Sequence, residues 1–327
     1  MLGRSARALV EISHDPSRLD DGGFWAVSVD YEGRWTCAKF AELSDEEFAM
    51  DSDSPSWQGT QDPWQQSMSS SEYFDYVERI RSAIAQGELY QANACLTFTR
   101  RNEEPLDALF ATLLANNPAP FATYLSIPGL EIASASPELF LEMKAGVEGR
   151  EIKTSPIKGT SKSEDFLEKD YPENIMIVDL MRNDFGAICT TGSVETPRVL
   201  ATEAHPGLFH LVSDVTGILR EGISWSDISG ALLPAGSISG APKSSAIRMI
   251  KENEGVRGVY TGLIGWVQGE QCQLAVAIRT FWQSDEYLHF GAGAGITWGS
   301  EGRLEWEEVQ LKASRFLAIA GGEWEHE

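Results

Sequence analysis

Residues 258–292 read GVYTGLIGWVQGEQCQLAVAIRTFWQSDEYLHFGA and contain three strand-like runs. Apolar and aromatic residues fill the runs at 258–268, 272–283 and 286–292, as in β-strands that pack on a core. The turn residues Gln268-Gly269-Glu270 join the first two runs. Because strands joined by short turns pair in opposite directions, this stretch predicts an antiparallel sheet.

The rest of the chain also places strands in groups. An alternating strand runs from Tyr90 to Phe98, and its polar face is a first site candidate that carries Gln91, Asn93, Cys95 and Thr97. Further strands are predicted at 121–127, 131–143, 150–157 and 208–219. Helices are predicted at 172–184, 225–232, 242–254 and 303–320, and between a capping box, Ser69-x-x-Glu72, and Gly87. Strands in groups, rather than in strict alternation with helices, predict an α+β fold.

A stretch rich in Ser, Asp, Gln and Pro divides the chain unevenly. Residues 51–72 lack hydrophobic periodicity and are predicted to be a linker or a long surface loop. Residues 1–50 predict a short β segment of the same fold, with a turn at Glu32-Gly33. The main domain is predicted to span residues 73–320.

The composition excludes several classes of protein. The formal charge of the 327 residues is −23, from 49 acidic and 26 basic residues, so neither nucleic acid nor an anionic membrane surface is an expected partner. No run of 18 apolar residues predicts a membrane span, and acidic residues come too early for a signal peptide. Four cysteines without metal-ligand spacing favour a reducing compartment, so we expect a cytoplasmic protein.

Two glycine-rich stretches resemble nucleotide-binding motifs without matching them. GSISGAPKS at 236–244 places Gly240 three residues before Lys243, whereas a P-loop needs glycine directly before lysine. GAGAGITW at 291–298 has Ile296 where a dinucleotide fingerprint needs its third glycine. The second stretch fits either a nest of N–H groups that binds an anion or a glycine-rich bend in a strand.

Acidic residues and one lysine are the remaining candidates for chemistry. Glu305, Glu308 and Lys312 form one helical stripe beside an apolar stripe, although a solvated charged face would look the same. Glu173 follows Pro172 at a helix start, where an acid is favoured in any case. If these glutamates converge, a hard cation such as Mg²⁺ would relieve their repulsion. Lys158 lies between a strand and a loop, where partial burial would make its amine a nucleophile, although nearby acids would oppose that change.

These residues together resemble the chorismate-utilising enzymes, which include the component I chains of anthranilate synthase and aminodeoxychorismate synthase and the isochorismate and salicylate synthases. The matches, which run from about residue 73 to 320, are Y-Q-A-N at 90–93, S-P-E-L-F-L at 136–141, P-I-K-G-T at 156–160, P-E-N-I-M-I-V-D-L-M-R-N-D at 172–184, H-L-V-S at 210–213, L-L-P-A-G-S-I-S-G-A-P-K at 232–243, A-I-R-T at 277–280, G-A-G-A-G-I at 291–296 and E-W-E-E-V-Q-L-K-A at 305–313. The resemblance implies two antiparallel sheets packed orthogonally and flanked by helices.

Within the family, two positions favour the aminodeoxychorismate type. That type has P-I-K-G-T, with Lys158 as nucleophile, where the anthranilate type usually has P-I-A-G-T-R. Isochorismate and salicylate synthases place a lysine at the position of Gln91 to activate water, and an amide cannot do so. The resemblance therefore implies conversion of chorismate and ammonia to 4-amino-4-deoxychorismate, with anthranilate synthesis or catalytically silent chorismate binding as alternatives.

The resemblance also assigns roles to individual residues. Glu173, Glu305 and Glu308 would hold Mg²⁺, and Lys158, Glu138 and His210 would be nucleophile, general acid and the residue that orients the C4 hydroxyl. The expected substrate contacts are Gln91, Ser239, Trp266, Arg279, Gly291, Gly293, Ala294, Gly295 and Lys312. Lys243 would neutralise a carboxylate of the substrate or of the protein.

Some features depart from the family pattern. Ser155 replaces an arginine that commonly precedes P-I-K-G-T, and Trp266 replaces a frequent tyrosine. The short region before residue 73 leads us to expect no tryptophan feedback site. No G-x-C-x-G glutaminase motif surrounds any cysteine, so we expect ammonia to come from solution or from a glutamine amidotransferase subunit.

Overall fold

The computed structural model describes residues 4–45, 56–59, 62–205, 208–322 and 324. The strands are β1 (Ser5–Ser13), β2 (Phe24–Val29), β3 (Trp35–Ser44), β4 (Gln65–Gln66), β5 (Gln91–Arg101), β6 (Thr123–Ile127), β7 (Leu130–Ser134), β8 (Leu139–Gly146), β9 (Gly149–Ser155), β10 (Ile157–Ser161), β11 (Glu195–His205), β12 (Leu208–Ile218), β13 (Gly240–Ala241), β14 (Leu263–Gln268), β15 (Gln271–Val276), β16 (Thr280–Ser284) and β17 (Tyr287–Ile296). The helices are α1 (Ser70–Ala85), α2 (Asp107–Asn116), α3 (Asp170–Gly186), α4 (Trp225–Leu232), α5 (Gly236–Ser239), α6 (Lys243–Asn253) and α7 (Gly302–Ala320), with a 3₁₀ helix at Pro16–Asp21.

The strands form two antiparallel sheets. The ten-stranded sheet has the order β1-β3-β2-β14-β15-β8-β9-β12-β10, with β11 also paired to β12. The seven-stranded sheet has the order β13-β5-β17-β16-β7-β6, with β4 also paired to β5. The predicted α+β fold with two antiparallel sheets is thus confirmed.

Three apolar clusters hold the layers together. One lies between the seven-stranded sheet and helices α1, α2 and α7, and it includes Tyr76, Phe110 and Phe316. A second joins the ten-stranded sheet to α3 and α4. The third joins the two sheets to each other and includes Cys95 from the smaller sheet and Ile264 from the larger. Each sheet therefore has one face on helices and part of the other face on its partner sheet.

Two predicted strands prove to be two strands each, because the chain changes sheets within them. The run at 272–283 divides into β15, in the larger sheet, and β16, in the smaller one. The run at 131–143 divides in the same way into β7 and β8. The segment 135–138 is buried throughout and the segment 277–279 begins with the apolar residues Ala277 and Ile278, so neither crossing is marked by exposed turn residues in the sequence.

The N-terminal strands belong to the larger sheet, because β2 pairs with β14 along its whole length. Residues 46–55, 60 and 61, which include most of the first half of the predicted linker, lie outside the described residues. The described remainder packs on the end of α7: the indoles of Trp57 and Trp64 donate to the carbonyls of Ala320 and Gly321, both at 2.9 Å.

Helix α2 and strand β11 are the longest elements that were not predicted, alongside the short β4, β10, β13, α5 and 3₁₀ helix. Helix α2 is apolar on nearly every side and has no side-chain cap at its start, so it lacks both usual helix signals. Strand β11 has no fully buried residue and pairs only with β12, so it lacks the buried face that reveals a strand. The capping box is confirmed, since Ser69 and Glu72 bond reciprocally at the start of α1.

A buried ion pair connects β5 of the smaller sheet with helices α1 and α5. Arg257 donates to Glu254 at 2.7 and 2.8 Å, and the two side chains are only 2% and 4% exposed. The pair also bonds to Tyr76 of α1, to Asn93 and Cys95 of β5 and to Ile238 of α5. With most of their lone pairs and protons satisfied, the two charges hold β5 and the end of α6 in one arrangement.

We expect Arg257→Met to lower the free energy of unfolding by about 3–5 kcal/mol, because it leaves Glu254 buried without its counter-charge. Arg248→Met is the matched control: Arg248 pairs with Glu88 on the exposed surface, and its loss should cost less than about 1 kcal/mol. Urea unfolding followed by tryptophan fluorescence measures both, and equal losses would contradict the role given to Arg257.

Candidate active site

The two crossings between the sheets each carry a predicted site residue. Glu138 comes directly before β8, and Arg279 comes directly before β16. Hydrogen bonds fasten the crossings together, from the amide of Ala135 to the carbonyl of Arg279 at 3.0 Å and from the amide of Val276 to the carbonyl of Glu138 at 3.0 Å. Arg279 has a φ of +52°, a strained backbone conformation for a residue other than glycine. The fold thus brings an acid and a guanidinium to one place.

Glu138 is a buried carboxyl group. It is 5% exposed, and burial raises its pKa to about 6 although Lys158, Ser237, the Ile157 backbone and Arg279 each favour the ionised form. A carboxyl group with this pKa holds its proton close to neutral pH and can release it there. It therefore suits a general acid.

Lys158 lies on β10, where the pairing with β12 shifts register between Ile157 and Thr160. Gly159 permits this irregularity with a φ of +97°. Burial lowers the pKa of Lys158, Lys312 acts in the same direction, and Glu138, Glu173 and Glu308 oppose it. Both expected influences on the amine are thus present, and burial outweighs the acids.

Helix α3 is fastened to β12 beside Glu173. The buried amide of Asn174 donates to the carbonyl of Leu211 at 3.1 Å and accepts from the hydroxyl of Ser213 at 2.5 Å. These bonds connect the P-E-N and H-L-V-S motifs. They place Glu173 near Lys158, which tends to lower the pKa of Glu173, while burial raises it.

The three glutamates predicted to bind a metal share one electrostatic environment. Burial raises the pKa of Glu305, and Oε2 of Glu305 is buried with no hydrogen-bond partner among the described residues. Burial also opposes ionisation of Glu308, but Lys312 and Lys169 outweigh it and lower the pKa of Glu308. Glu308 bonds to Lys312 at 2.7 Å and lies 3.9 Å from Lys169.

These carboxylates have the right chemistry for Mg²⁺ but are not assembled as ligands. Within the described part of the chain, no three acidic, histidine or cysteine side chains are placed to hold a metal ion. The unpartnered oxygen of Glu305 fits a cation ligand. A cation at Glu308 would first have to displace Lys312.

His210 is a buried, neutral imidazole. Burial, Arg279 and His205 together lower its pKa to about 3. Its Nδ1 bonds to the hydroxyl of Thr160 at 2.9 Å, and its Nε2 has no partner among the described residues. The ring can therefore orient a hydroxyl group through Nε2, but it does not carry a charge at neutral pH.

The glycines 291, 293 and 295 do not form the anion-binding nest that was one of two expectations. They lie in the regular strand β17 opposite β5, and none has positive φ. A Cβ on Gly291 would lie 2.0 Å from the Tyr260 ring, and a Cβ on Gly295 would lie 2.3 Å from Gln91. These two glycines thus make room for side chains.

One edge of this strand still offers backbone groups to a ligand. Among the described residues, β17 pairs with β16 only as far as Phe290 and with β5 beyond it. Residues 291–296, which include Ala294, therefore leave the other edge of β17 without a strand partner. The carbonyl of Gly293 faces this edge and accepts from Lys312 at 3.0 Å. The N–H of Gly293 faces the same edge, as the antiparallel pattern requires.

The side chain of Gln91 is free to bind a ligand, whereas the hydroxyl of Ser239 already has a partner in the protein. The Gln91 side chain is 1% exposed, and its amide oxygen and nitrogen have no partner among the described residues, so it is available to a ligand. Ser239 instead donates to the carbonyl of Ala235 at 2.9 Å within its own turn. Ser237, two residues earlier in the same motif, was missed although its hydroxyl lies near enough to Glu138 to lower the pKa of that acid.

Trp266 and Lys243 contact other parts of the molecule. Trp266 stacks on Phe24 at 6.1 Å between ring centroids and lies under the guanidinium of Arg4, so we remove it from the site. Lys243 donates to Asp184 at 2.6 Å and joins the G-A-P-K motif to the end of α3. It neutralises a carboxylate of the protein, which was one of the two expectations.

Ser155, a departure from the family pattern, takes part in a polar network. It donates to the buried Asp214 at 2.7 Å, and Asp214 also accepts from Arg198 of β11 at 2.9 and 3.0 Å. A guanidinium therefore reaches this region from the strand that was not predicted. A wide groove of about 730 Å³, lined in part by Glu142 and Thr190, contains no predicted site residue.

Comparisons with known proteins show the family of this chain. The chorismate binding enzyme family model matches residues 10–318. Anthranilate synthase component 1 of Aquifex aeolicus is 37% identical over 270 residues, which are 78% of this chain and 54% of that protein. Aminodeoxychorismate synthase component 1 of Escherichia coli K12 is 32% identical over 343 residues, covering 97% of this chain and 74% of that protein. This chain thus spans only about half the length of some relatives.

Solved structures agree in fold. Anthranilate synthase component I from Streptococcus pneumoniae superimposes with a TM-score of 0.77 at 26% identity, covering 90% of this chain and 80% of that one. The menaquinone-specific isochorismate synthase of Escherichia coli superimposes with a TM-score of 0.75 at 17% identity, covering 97% of this chain and 85% of that one. No helix in the described residues is long and apolar enough to cross a membrane. Since the family model matches nearly the whole chain and the fold is that of the solved relatives, the chain belongs to the chorismate-binding enzymes.

Proposed function

We propose that this chain is the component I of an aminodeoxychorismate synthase, which converts chorismate and ammonia to 4-amino-4-deoxychorismate on the route to p-aminobenzoate and folate. The observation that carries the proposal is the burial of Lys158 and Glu138 within reach of each other's charge. Burial lowers the pKa of the amine and raises that of the acid to about 6, so both groups approach the protonation states that a covalent route needs.

The first step forms a covalent adduct. The neutral Lys158 amine attacks C2 of the ring, the ring electrons shift, and the C4–O bond breaks as Glu138 gives its proton to the departing hydroxyl. Water leaves, and Glu138 becomes a carboxylate. His210 orients the C4 hydroxyl through its free Nε2.

The second step releases the product. Ammonia attacks C4, the electrons shift back, and the C2–N bond to Lys158 breaks. The proton that the new amine loses returns to Glu138, which regenerates the acid, and the lysine leaves as an amine. Gln91 contributes an amide and not a base, so water gains no general-base activation from it.

We propose Mg²⁺ as the cofactor, held by Glu173, Glu305 and Glu308. When bound, the ion would neutralise the ring carboxylate of chorismate. The unpartnered oxygen of Glu305 supports this assignment. Lys312, released from Glu308, would remain beside the Gly293 carbonyl and the substrate, and Arg279 would receive the second carboxylate.

We propose a separate glutamine amidotransferase subunit as the ammonia source, because the chain contains no glutaminase motif.

A second function, anthranilate synthesis, is favoured by the 37% identity to a relative with that name. Incubation of the chain with chorismate, Mg²⁺ and ammonium, followed by mass and fluorescence analysis of the products, tests both functions. Aminodeoxychorismate supports the proposal, whereas fluorescent anthranilate with pyruvate, or unchanged chorismate, overturns it. Glutamine in place of ammonium should give no product without the partner.

We expect Lys158→Ala to lower the rate of amination by at least about 10³-fold, because the covalent route loses its nucleophile. Lys162→Ala, an exposed lysine four residues along the chain, is the control and should keep the wild-type rate. Steady-state product formation measures both. A Lys158→Ala chain with full activity would remove the lysine from the mechanism.

Formation of the adduct without ammonia should depend on pH. The rate of adduct formation should fall as pH rises through about 6, because Glu138 then loses the proton that it must donate. The rate should also fall at low pH, because Lys158 is then protonated. Reactions at a series of pH values from about 5 to about 9, stopped by rapid quenching and followed by mass spectrometry of the intact chain, measure this rate. Glu138→Gln should slow the step at least about 100-fold, and an unchanged profile in that variant would contradict the assignment.

Glu308→Gln should raise the Kd for Mg²⁺ at least about ten-fold, because a ligand charge is lost. Glu307→Gln is the control, since Glu307 is exposed and pairs with Arg303. Isothermal titration with MgCl₂ and the thermal stabilisation that Mg²⁺ produces measure binding without activity. Equal affinities in the two variants would exclude Glu308 as a ligand.

A further inference from the structure

A small cavity lies next to the active site. It has a volume of about 50 Å³, more than the roughly 10–15 Å³ that one water needs, and segment 116–120, β12 and α7 contribute to its walls. The titratable and cationic side chains that line it are His205, His210, Arg279 and Arg315. Three prolines form much of its apolar wall. The cavity thus suits a small polar group and not a whole ring.

The lining of this cavity has an excess of positive charge. His210 is neutral, since its pKa is about 3. Burial and then the charge of Arg315 lower the pKa of Arg279 to about 10, which shows that the two guanidinium groups repel each other. Glu138 is the acid that acts on Arg279, and its strongest charge interaction is with Lys158. The two arginines therefore lack an anion of their own.

The chain carries 49 acidic residues against 26 lysines and arginines. Yet no described acidic side chain forms an ion pair with Arg279 or Arg315. Arg315 makes one hydrogen bond, to the carbonyl of Asn116 at 2.9 Å, which leaves most of its five N–H donors free.

Helix α7 aligns Arg315 with the proposed metal ligands. Residues 308, 312 and 315 follow one another at spacings of four and three, so they share one face of the helix. The helical rise places Arg315 about 10 Å along the axis from Glu308. One helix face therefore carries acids at one end and a guanidinium at the other, an arrangement suited to a substrate with two separated carboxylates.

We propose that Arg315 is a substrate-binding residue that forms, with Arg279, an anion subsite for one carboxylate of chorismate. The inference rests on the proposed function, which supplies the dianionic substrate. The carboxylate removes the repulsion between the two guanidinium groups and accepts hydrogen bonds from both. Arg315 lies on the exposed side of the cavity, so it also contributes a local positive charge that attracts an anion to a chain of net charge −23.

The test compares Arg315→Gln with Arg315→Lys and with Arg303→Gln, an exposed arginine on α7 that pairs with Glu307. At about 50 mM salt, Arg315→Gln should raise the KM for chorismate about ten-fold with kcat within about two-fold, because binding common to ground and transition states is lost. The KM of Arg315→Lys should lie between those of Arg315→Gln and the wild type. The difference should shrink at about 300 mM salt, where charges are screened. A KM for Arg315→Gln within two-fold of that for Arg303→Gln overturns the inference.

Equilibrium binding separates this inference from the proposed function. Quenching of tryptophan fluorescence by chorismate gives a Kd without turnover. If the wild type binds chorismate but makes no aminodeoxychorismate, the proposed function fails, while a weaker Kd in Arg315→Gln than in Arg303→Gln still supports the subsite. Equal Kd values in those two variants overturn the subsite alone. A wild-type chain that binds no chorismate overturns both.

Discussion

The low hydration of Lys158 and Glu138 is the constraint on which the chemistry of this molecule depends. In water an ammonium and a carboxylate would both stay charged, with pKa values on opposite sides of neutrality. Here burial moves the pKa of the amine down and that of the acid up to about 6, against the attraction between the two charges. Desolvation exceeds that attraction in both groups, so each moves toward its neutral form.

The rest of the fold maintains this shielding. The Glu254–Arg257 pair holds β5, and Asn174 fastens α3 to β12, so Gln91 and Glu173 come from elements whose positions are determined by buried hydrogen bonds. Four buried polar atoms of the predicted site residues have no partner among the described residues: both ends of the Gln91 amide, Nε2 of His210 and one oxygen of Glu305. Buried groups of this kind are expensive to leave unpaired, and a polar ligand is the natural partner for them.

The charge distribution of the chain also has a clear functional reading. A net charge of −23 would repel a dianion, yet Lys158, Lys169, Lys312, Arg279 and Arg315 gather around the site. Local cations thus work against the overall field. A small number of them, on β10 and α7 and just before α3 and β16, is enough, because the field of distant charges is screened over about 8 Å at physiological salt.

Sequence patterns predicted those features that depend on near neighbours along the chain. Alternation revealed β5, the capping box revealed the start of α1, and the spacing of Glu305, Glu308 and Lys312 placed them on one helix face. They did not reveal α2 or β11, because neither has an amphipathic pattern. Motif matches identified Lys158, Glu138 and Arg279 as candidates, but they misplaced Trp266 and chose Ser239 where Ser237 contacts Glu138.

The sequence by itself thus determined the fold class, the family resemblance and the kinds of side chain available for chemistry, since these follow from local period and from residue identity. Only the tertiary structure decided which of those side chains meet, because Glu138 and Arg279 are about 140 residues apart and come together where two strands change sheets. It also decided their protonation. Burial is a property of the packed molecule, and no spacing along the chain reports how much water a carboxyl group or an amine has lost.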